Sequence, residues 1–234
     1  MAHSSKIDVW KINLDGAIAD HHMLSAEEHR RAQRFQQPVH ANRFRSGRAA
    51  MRSILGGYLG AVPSQLYFEE NEYGKPFLAG SALRFNLSHS EGMALLAVVW
   101  DRAIGVDIER VRPSADLLDI AAQYFSAMEY AVVESLPREE RVNAFYHYWT
   151  WKEAYIKARG EGLSISLDTF AVPYSASPAS LVFSKEGPQE LERWYFCSID
   201  CDPEYRAALA VERGSLEIEI KEFATTSVPA GKSL

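Results

Sequence analysis

LRFNLSHSEGMALLAVVWDRAIGVDIER, Leu83 to Arg110, decides how the chain folds. LRFNLSHSEGMALLAVVW reads as two strands about a polar loop, and AIGVDIER, dense in β-branched residues, as a third. In GVDIER, Val106 and Ile108 alternate with Asp107 and Glu109. Alternate strand side chains share a face, so Val106 and Ile108 turn to a core while the two acids point together the other way. Two neighbouring carboxylates repel, and a hard cation such as Mg2+ relieves that repulsion. A solvated strand face is the other reading of so short a pattern.

Elements upstream and downstream follow one order twice. KIDVWKINL alternates as a strand, SAEEHRRAQRF opens a helix at Ser25 with an acidic first turn, and ANRFRSGRAAMRSILGGYLG continues as a helix that stops at glycines. LYFEENEYGKPFL reads as strand, turn and strand about Gly74 and Pro76. Beyond Pro113 the chain turns helical again, with Ser126 and Glu129 at capping-box spacing and a long helix, VNAFYHYWTWKEAYIKARG, ending at Gly160. LSISLDTFAVPY and the segments after it are β-patterned. The order predicts an α+β fold of two similar halves related by a pseudo-twofold, residues 1–103 and 104–225, in one compact monomer, with residues 226–234 as a flexible tail. The interface between halves is the expected place for a site.

Composition narrows the function classes. The 234 residues are 47% hydrophobic and 24% charged, enough to bury a substantial core. The longest apolar run, Met93 to Trp100, is too short to span a bilayer, and MAHSSKIDVW has no signal-peptide core, so the expectation is a cytoplasmic protein with no membrane partner. Cys197 and Cys201 offer neither a disulfide framework nor a four-ligand zinc site. A net charge of −6 argues against a nucleic-acid partner. Within this acidic chain, Arg30 to Arg52 holds seven arginines and no acid, either a solvated helix face or a surface for phosphate groups.

Two more segments carry chemistry. In WTWKEAYIK, Trp149, Glu153 and Lys157 stand four apart on one helix face, and the Trp suggests that this stripe is partly buried rather than an ordinary surface ion pair. In FNLSHSEG, Ser88, His89 and Ser90 group hydroxyls and an imidazole that can hold a phosphate, although a hydrogen-bonded structural turn is equally ordinary. No G-x-S-x-G elbow accompanies them, which removes a serine hydrolase of that type.

NEYGKP at 71–76, FNLSHS at 85–90, GVDIE at 105–109, WTWKEAYIK at 149–157 and GEGLSISLDTF at 160–170 occur in an order and spacing that resembles the Sfp-type 4′-phosphopantetheinyl transferases, over a span from the Ser25 helix to about Val172. The resemblance implies an enzyme that moves the phosphopantetheine arm of coenzyme A onto a serine of apo acyl or peptidyl carrier proteins and releases adenosine 3′,5′-bisphosphate. It implies Mg2+, with Mn2+ as a substitute, on Asp107, Glu109 and Glu153. Glu153 has a second role open to it as general base, and Lys157 would reach the pyrophosphate. For coenzyme A it implies Lys75, Ser88, His89 and Lys157, with Arg31 near the 3′-phosphate. Glu28 and Phe44 depart from the family's pattern there, leaving Arg43 and Arg48 as reserve contacts. Carrier docking would fall over Tyr124, Phe125, Met128 and Tyr130, which could equally pack the second half's core. A Mg-dependent nuclease or phosphodiesterase could also use acids on a strand with a nearby Glu and Lys, but has no stated use for GKP and NLSHS. A non-catalytic module binding carrier protein or coenzyme A would not need the whole acid and lysine set.

Overall fold

The computed structural model describes residues 6–16, 21–174 and 177–224; the tail expected at 226–234 lies outside them. The chain forms β1 (Ile7–Asn13), α1 (Ala26–Ala32), α2 (Pro38–Leu59), β2 (Glu69–Glu70), β3 (Pro76–Phe77), β4 (Leu83–Ser90), β5 (Met93–Trp100) and β6 (Ile104–Arg110). It continues through α3 (Leu117–Tyr124), α4 (Ala127–Ser135), α5 (Arg138–Arg159), β7 (Phe170–Ala171), β8 (Phe183–Ser184), α6 (Pro188–Arg193), β9 (Trp194–Ser198), β10 (Tyr205–Glu212) and β11 (Ile218–Glu222). Local chemistry sets the boundaries. Ser25 and Ser126 each close a capping box with the Glu three residues on. Both long helices end on glycines in the left-handed region, Gly60 and Gly160.

Two sheets carry the fold. One has the order β11-β1-β5-β4, the other β6-β10-β9. Ile7, Val9, Leu95, Ala97 and Val99 from the first meet Ile104, Val106, Ile108, Leu209 and Val211 from the second in one core. Behind the first sheet, Ala50, Met51, Ile54 and Leu55 of α2 pack on Ile12, Ala94, Leu96 and Val98. Behind the second, Tyr148, Trp151 and Tyr155 of α5 pack on Phe196, Ala208 and Ala210. The α+β layering is therefore helix, sheet, sheet, helix. Val106 and Ile108 are fully buried, each contributing roughly 1.5–3 kcal/mol of apolar burial, and that anchorage fixes which way Asp107 and Glu109 point.

Local readings differ from the structure in three places. NLSHS lies inside β4 rather than beyond a strand end, and the turn falls on Glu91 and Gly92. Most of LSISLDTF forms single helical turns, with only Phe170 and Ala171 in a strand, and the residues before Trp194 form α6. β11 pairs in parallel with β1, from Ile7 opposite Ile218 to Lys11 opposite Glu222, so the last strand completes the sheet that the first one opens.

Candidate active site

β6 and α5 approach more closely than side chains normally allow. A β-carbon on Gly105 would lie 2.1 Å from the Ala154 carbonyl oxygen and 2.3 Å from the Ala158 amide nitrogen. Glycine here, with buried Ala154 and Ala158 opposite, lets the helix backbone rest directly on the strand. Because Gly105, Asp107 and Glu109 share a face, this contact turns the two acids toward the helix that carries Glu153 and Lys157 and brings Asp107 onto Lys157.

Asp107 is 2% exposed. Its Oδ1 accepts from Lys157 Nζ at 2.5 Å and from Ser88 Oγ at 2.9 Å, and Ser88 Oγ in turn accepts from Lys157 Nζ at 2.9 Å. Its Oδ2 is buried with no hydrogen-bond partner. Glu109 Oε2 accepts from Ser90 Oγ at 2.8 Å. Desolvation, and then the Asp107 charge, raises the Glu109 carboxyl above its usual range, while Ser90 works against that rise. Glu153 is half-buried; desolvation raises its carboxyl, Lys157 opposes the shift and Asp107 reinforces it. Trp149, Glu153 and Lys157 are all half-buried, as their shared stripe predicts.

The donors suit a hard cation. Asp107 Oδ2 is an unpartnered buried carboxylate oxygen, and the Asp107 charge raises the proton affinity of both Glu109 and Glu153. No group of three or more His, Cys, Asp or Glu among the described residues is gathered as a metal cage. Mg2+ does not need one, since it is usually bound through one or two carboxylates with waters and substrate phosphates completing its octahedron.

The coenzyme A candidates fall into two groups. Ser88 is buried in the Asp107–Lys157 network, and Lys75 Nζ donates to the carbonyls of Ile104 and Ala158, both at 3.0 Å. Lys75 thus pins the start of β6 to the last turn of α5, and desolvation lowers its ammonium to about 8. Asn71 supports the same join by donating to the Gly160 carbonyl at 2.7 Å. His89, by contrast, is exposed on the other face of β4. Arg31 is exposed, with its guanidinium 5.4 Å from the centre of the Phe44 ring, so the Phe44 departure supplies a cation–π platform.

The departure at position 28 is structural. Glu28 is buried, accepts from the Ser25 amide, and pairs with Arg48 and Arg52, each at 2.7 Å. Arg43 makes a bidentate pair with Asp15 at 2.7 and 2.8 Å. Both reserve contacts are therefore already engaged. Arg31, Phe44, Arg48 and Glu28 line a cleft of about 700 Å3 that also reaches Pro76. Of the docking candidates, Phe125 belongs to the core, Tyr130 is half-buried, and Tyr124 and Met128 are exposed at 41% and 53%.

Several contributors escaped the sequence reading. Asn86 accepts the Val106 amide at 2.9 Å, so Asn86, Ser88 and Ser90, alternating on one face of β4, replace a backbone ladder to β6 with side-chain bonds. That alternation, polar within an apolar strand, was the available signal. Lys152 is fully buried and binds Glu129 and the carbonyls of Leu167 and Phe170, all at 2.7 Å. Its place between Trp151 and Glu153, on the helix side that carries Tyr148 and Tyr155, marked it as core-facing.

A profile of the 4′-phosphopantetheinyl transferase superfamily matches residues 103–210, from just before β6 to most of β10. Over 216 residues the chain is 40% identical to the 4′-phosphopantetheinyl transferase HetI of Nostoc sp. strain PCC 7120, covering 89% of this chain and 88% of that relative. It is 32% identical over 187 residues to the 4′-phosphopantetheinyl transferase Sfp of Bacillus subtilis strain 168, covering 80% and 81%. A solved holo-(acyl-carrier-protein) synthase from Bacillus anthracis, in complex with CoA (3′,5′-ADP), gives a TM-score of 0.39 at 23% identity, covering 48% of this chain and 96% of that one. By its identity of 32–40% to relatives matched over more than four fifths of their length, the chain belongs to the Sfp-type 4′-phosphopantetheinyl transferases.

Proposed function

We propose that the contact of β6 with α5 is where this phosphopantetheinyl transferase acts, moving the arm of coenzyme A to the serine of an apo acyl or peptidyl carrier protein. The carrying observation is the Asp107–Lys157 contact between strand and helix, with one Asp107 oxygen buried and unpartnered and the Asp107 charge felt by both Glu109 and Glu153. Asp107 and Glu109 would hold Mg2+ or Mn2+, which when bound neutralises pyrophosphate charge and polarises its oxygens.

Glu153 takes the proton of the carrier serine, directly or through a water. Its raised proton affinity suits a base, and a place among the cation's ligands is compatible with that role. The serine oxygen bonds to the phosphorus that bears the pantetheine, and that phosphorus loses its bond to the bridging oxygen. The electron pair leaves on adenosine 3′,5′-bisphosphate. An ammonium has three donors; Lys157 uses two on Asp107 and Ser88, and the third can meet the charge growing on the leaving phosphate. Lys75 and Ser88 contribute by fixing the site's walls, while exposed Arg31 and His89 would meet nucleotide phosphates.

This reading places the site between two halves of similar layout, 1–103 and 104–225, related by a pseudo-twofold. It puts carrier docking over Tyr124 and Met128 and makes the protein a cytoplasmic enzyme. Among the described residues no helix is long and apolar enough to cross a membrane. The test is release of adenosine 3′,5′-bisphosphate from coenzyme A with Mg2+. Release is expected only when an apo carrier domain is present. Release without any carrier would favour a phosphodiesterase instead.

A further inference from the structure

β4 and β6 belong to different sheets, yet Ser90 joins them at the end of the acid pair. Ser90 Oγ accepts the Arg110 amide at 3.1 Å and donates to Glu109 Oε2 at 2.8 Å. A hydroxyl has one proton, and an amide can only donate, so the Ser90 proton is committed to Glu109. One oxygen of Glu109 is thereby fixed by a group outside its own strand. The turn carrying Ser90 is itself held against β6: Glu91 pairs with both Arg110 and Arg112. Glu91 keeps a left-handed φ of 50°, a conformation an L residue holds only when its surroundings enforce it.

We propose that Ser90 is a positioning residue that orients Glu109 toward the divalent cation, acting from the first sheet on the second. The inference rests on the reading of Asp107 and Glu109 as the cation's carboxylates. A free Glu109 side chain samples several rotamers, and all but one must be given up on binding; the Ser90 bond confines it beforehand. Outer hydrogen-bond partners of metal ligands typically contribute 10–100-fold in affinity.

The experiment measures Mn2+ binding by the electron paramagnetic resonance of free Mn2+, with coenzyme A present and no carrier. Wild type, Ser90→Ala, Ser90→Thr and Asp107→Asn are compared. Ser90→Ala is expected to weaken Mn2+ by about tenfold or more, with thermal stability close to wild type, and Ser90→Thr to bind as wild type does. If Ser90→Ala perturbs folding, Ser90→Cys, similar in size but a weak donor, carries the same expectation. Unchanged Mn2+ affinity in Ser90→Ala, alongside a clear loss in Asp107→Asn, overturns the role of Ser90 and leaves the carboxylate reading standing. Failure of wild type to bind Mn2+, or full binding by Asp107→Asn, overturns both.

Discussion

Lys157 Nζ lies 2.5 Å from Asp107 Oδ1, and the two sit on elements whose backbones touch at Gly105. The ion pair is local evidence of how the site is assembled: an acid from a strand, a cation from a helix, and a glycine that removes the space between them. Replacing Asp107 with Asn keeps the shape but removes the charge. Transfer to an apo carrier should become undetectable while the protein's circular dichroism stays that of wild type. Lys157→Ala should slow the turnover rate by about 10²–10³-fold, the usual effect of removing one donor to a developing negative charge. Single-turnover rates with saturating coenzyme A measure both.

Gly105→Ala tests the close approach itself. Its new methyl would fall on the backbone of α5, which cannot yield as a flexible side chain does. Overpacking of this kind costs about 1–3 kcal/mol, occasionally more. Because the displaced helix carries Glu153 and Lys157, activity should fall further than the stability loss accounts for, a comparison made by urea unfolding and carrier transfer on the same preparation.

The pH dependence should reveal Glu153. A base must be deprotonated, so the apparent second-order rate constant falls as pH drops through the Glu153 pKa, which desolvation raises above the ordinary 4.5. Lys157 opposes that rise and Asp107 adds to it. The acid limb of the profile should therefore move to higher pH in Lys157→Ala. A limb that stays in place, or moves the other way, assigns the titration to another group.

Glu28 should behave as a structural acid. Desolvation by itself would raise its pKa, but the Ser25 amide and the Arg48 and Arg52 guanidiniums outweigh that and hold it below 4.5. A depressed carboxyl stabilises the fold fully above its unfolded pKa, and the contribution disappears as pH falls through the folded value. Arg52 is 3% exposed, so Glu28→Gln strands a buried cation at a cost of about 3–5 kcal/mol. Urea unfolding should show that loss at neutral pH, and a smaller further loss on acidification below about 4.5 than wild type suffers.

Much of this arrangement was legible in the residues. Alternation in GVDIER gave the orientation of Asp107 and Glu109, because one apolar face fixes the other. Four-residue spacing gave the half-buried stripe of Trp149, Glu153 and Lys157, and Ser126 with Glu129 formed the capping box its spacing describes. What sequence left open depends on partners remote in the chain. Whether Ser88 and Lys75 meet a ligand or their own protein turns on Asp107 and Ala158, which stand 19 and 83 residues away. Sequence alone shows Glu28 only as an acid where a basic residue could stand; its role follows from Arg48 and Arg52, 20 and 24 residues on, which close on it. The parallel pairing of β11 with β1 has no local signature, since strand pattern fixes faces but not neighbours.

The central claim is transfer of phosphopantetheine from coenzyme A to a carrier serine at this site. Its most direct measurement is the intact mass of several apo carrier domains, acyl, peptidyl and aryl, after incubation with the protein, coenzyme A and Mg2+. At least one carrier should gain the mass of a single phosphopantetheine on its serine, and Glu153→Ala should give no gain on that same carrier. An unchanged mass across all carriers with the wild-type protein, or an undiminished gain with Glu153→Ala, would contradict the account.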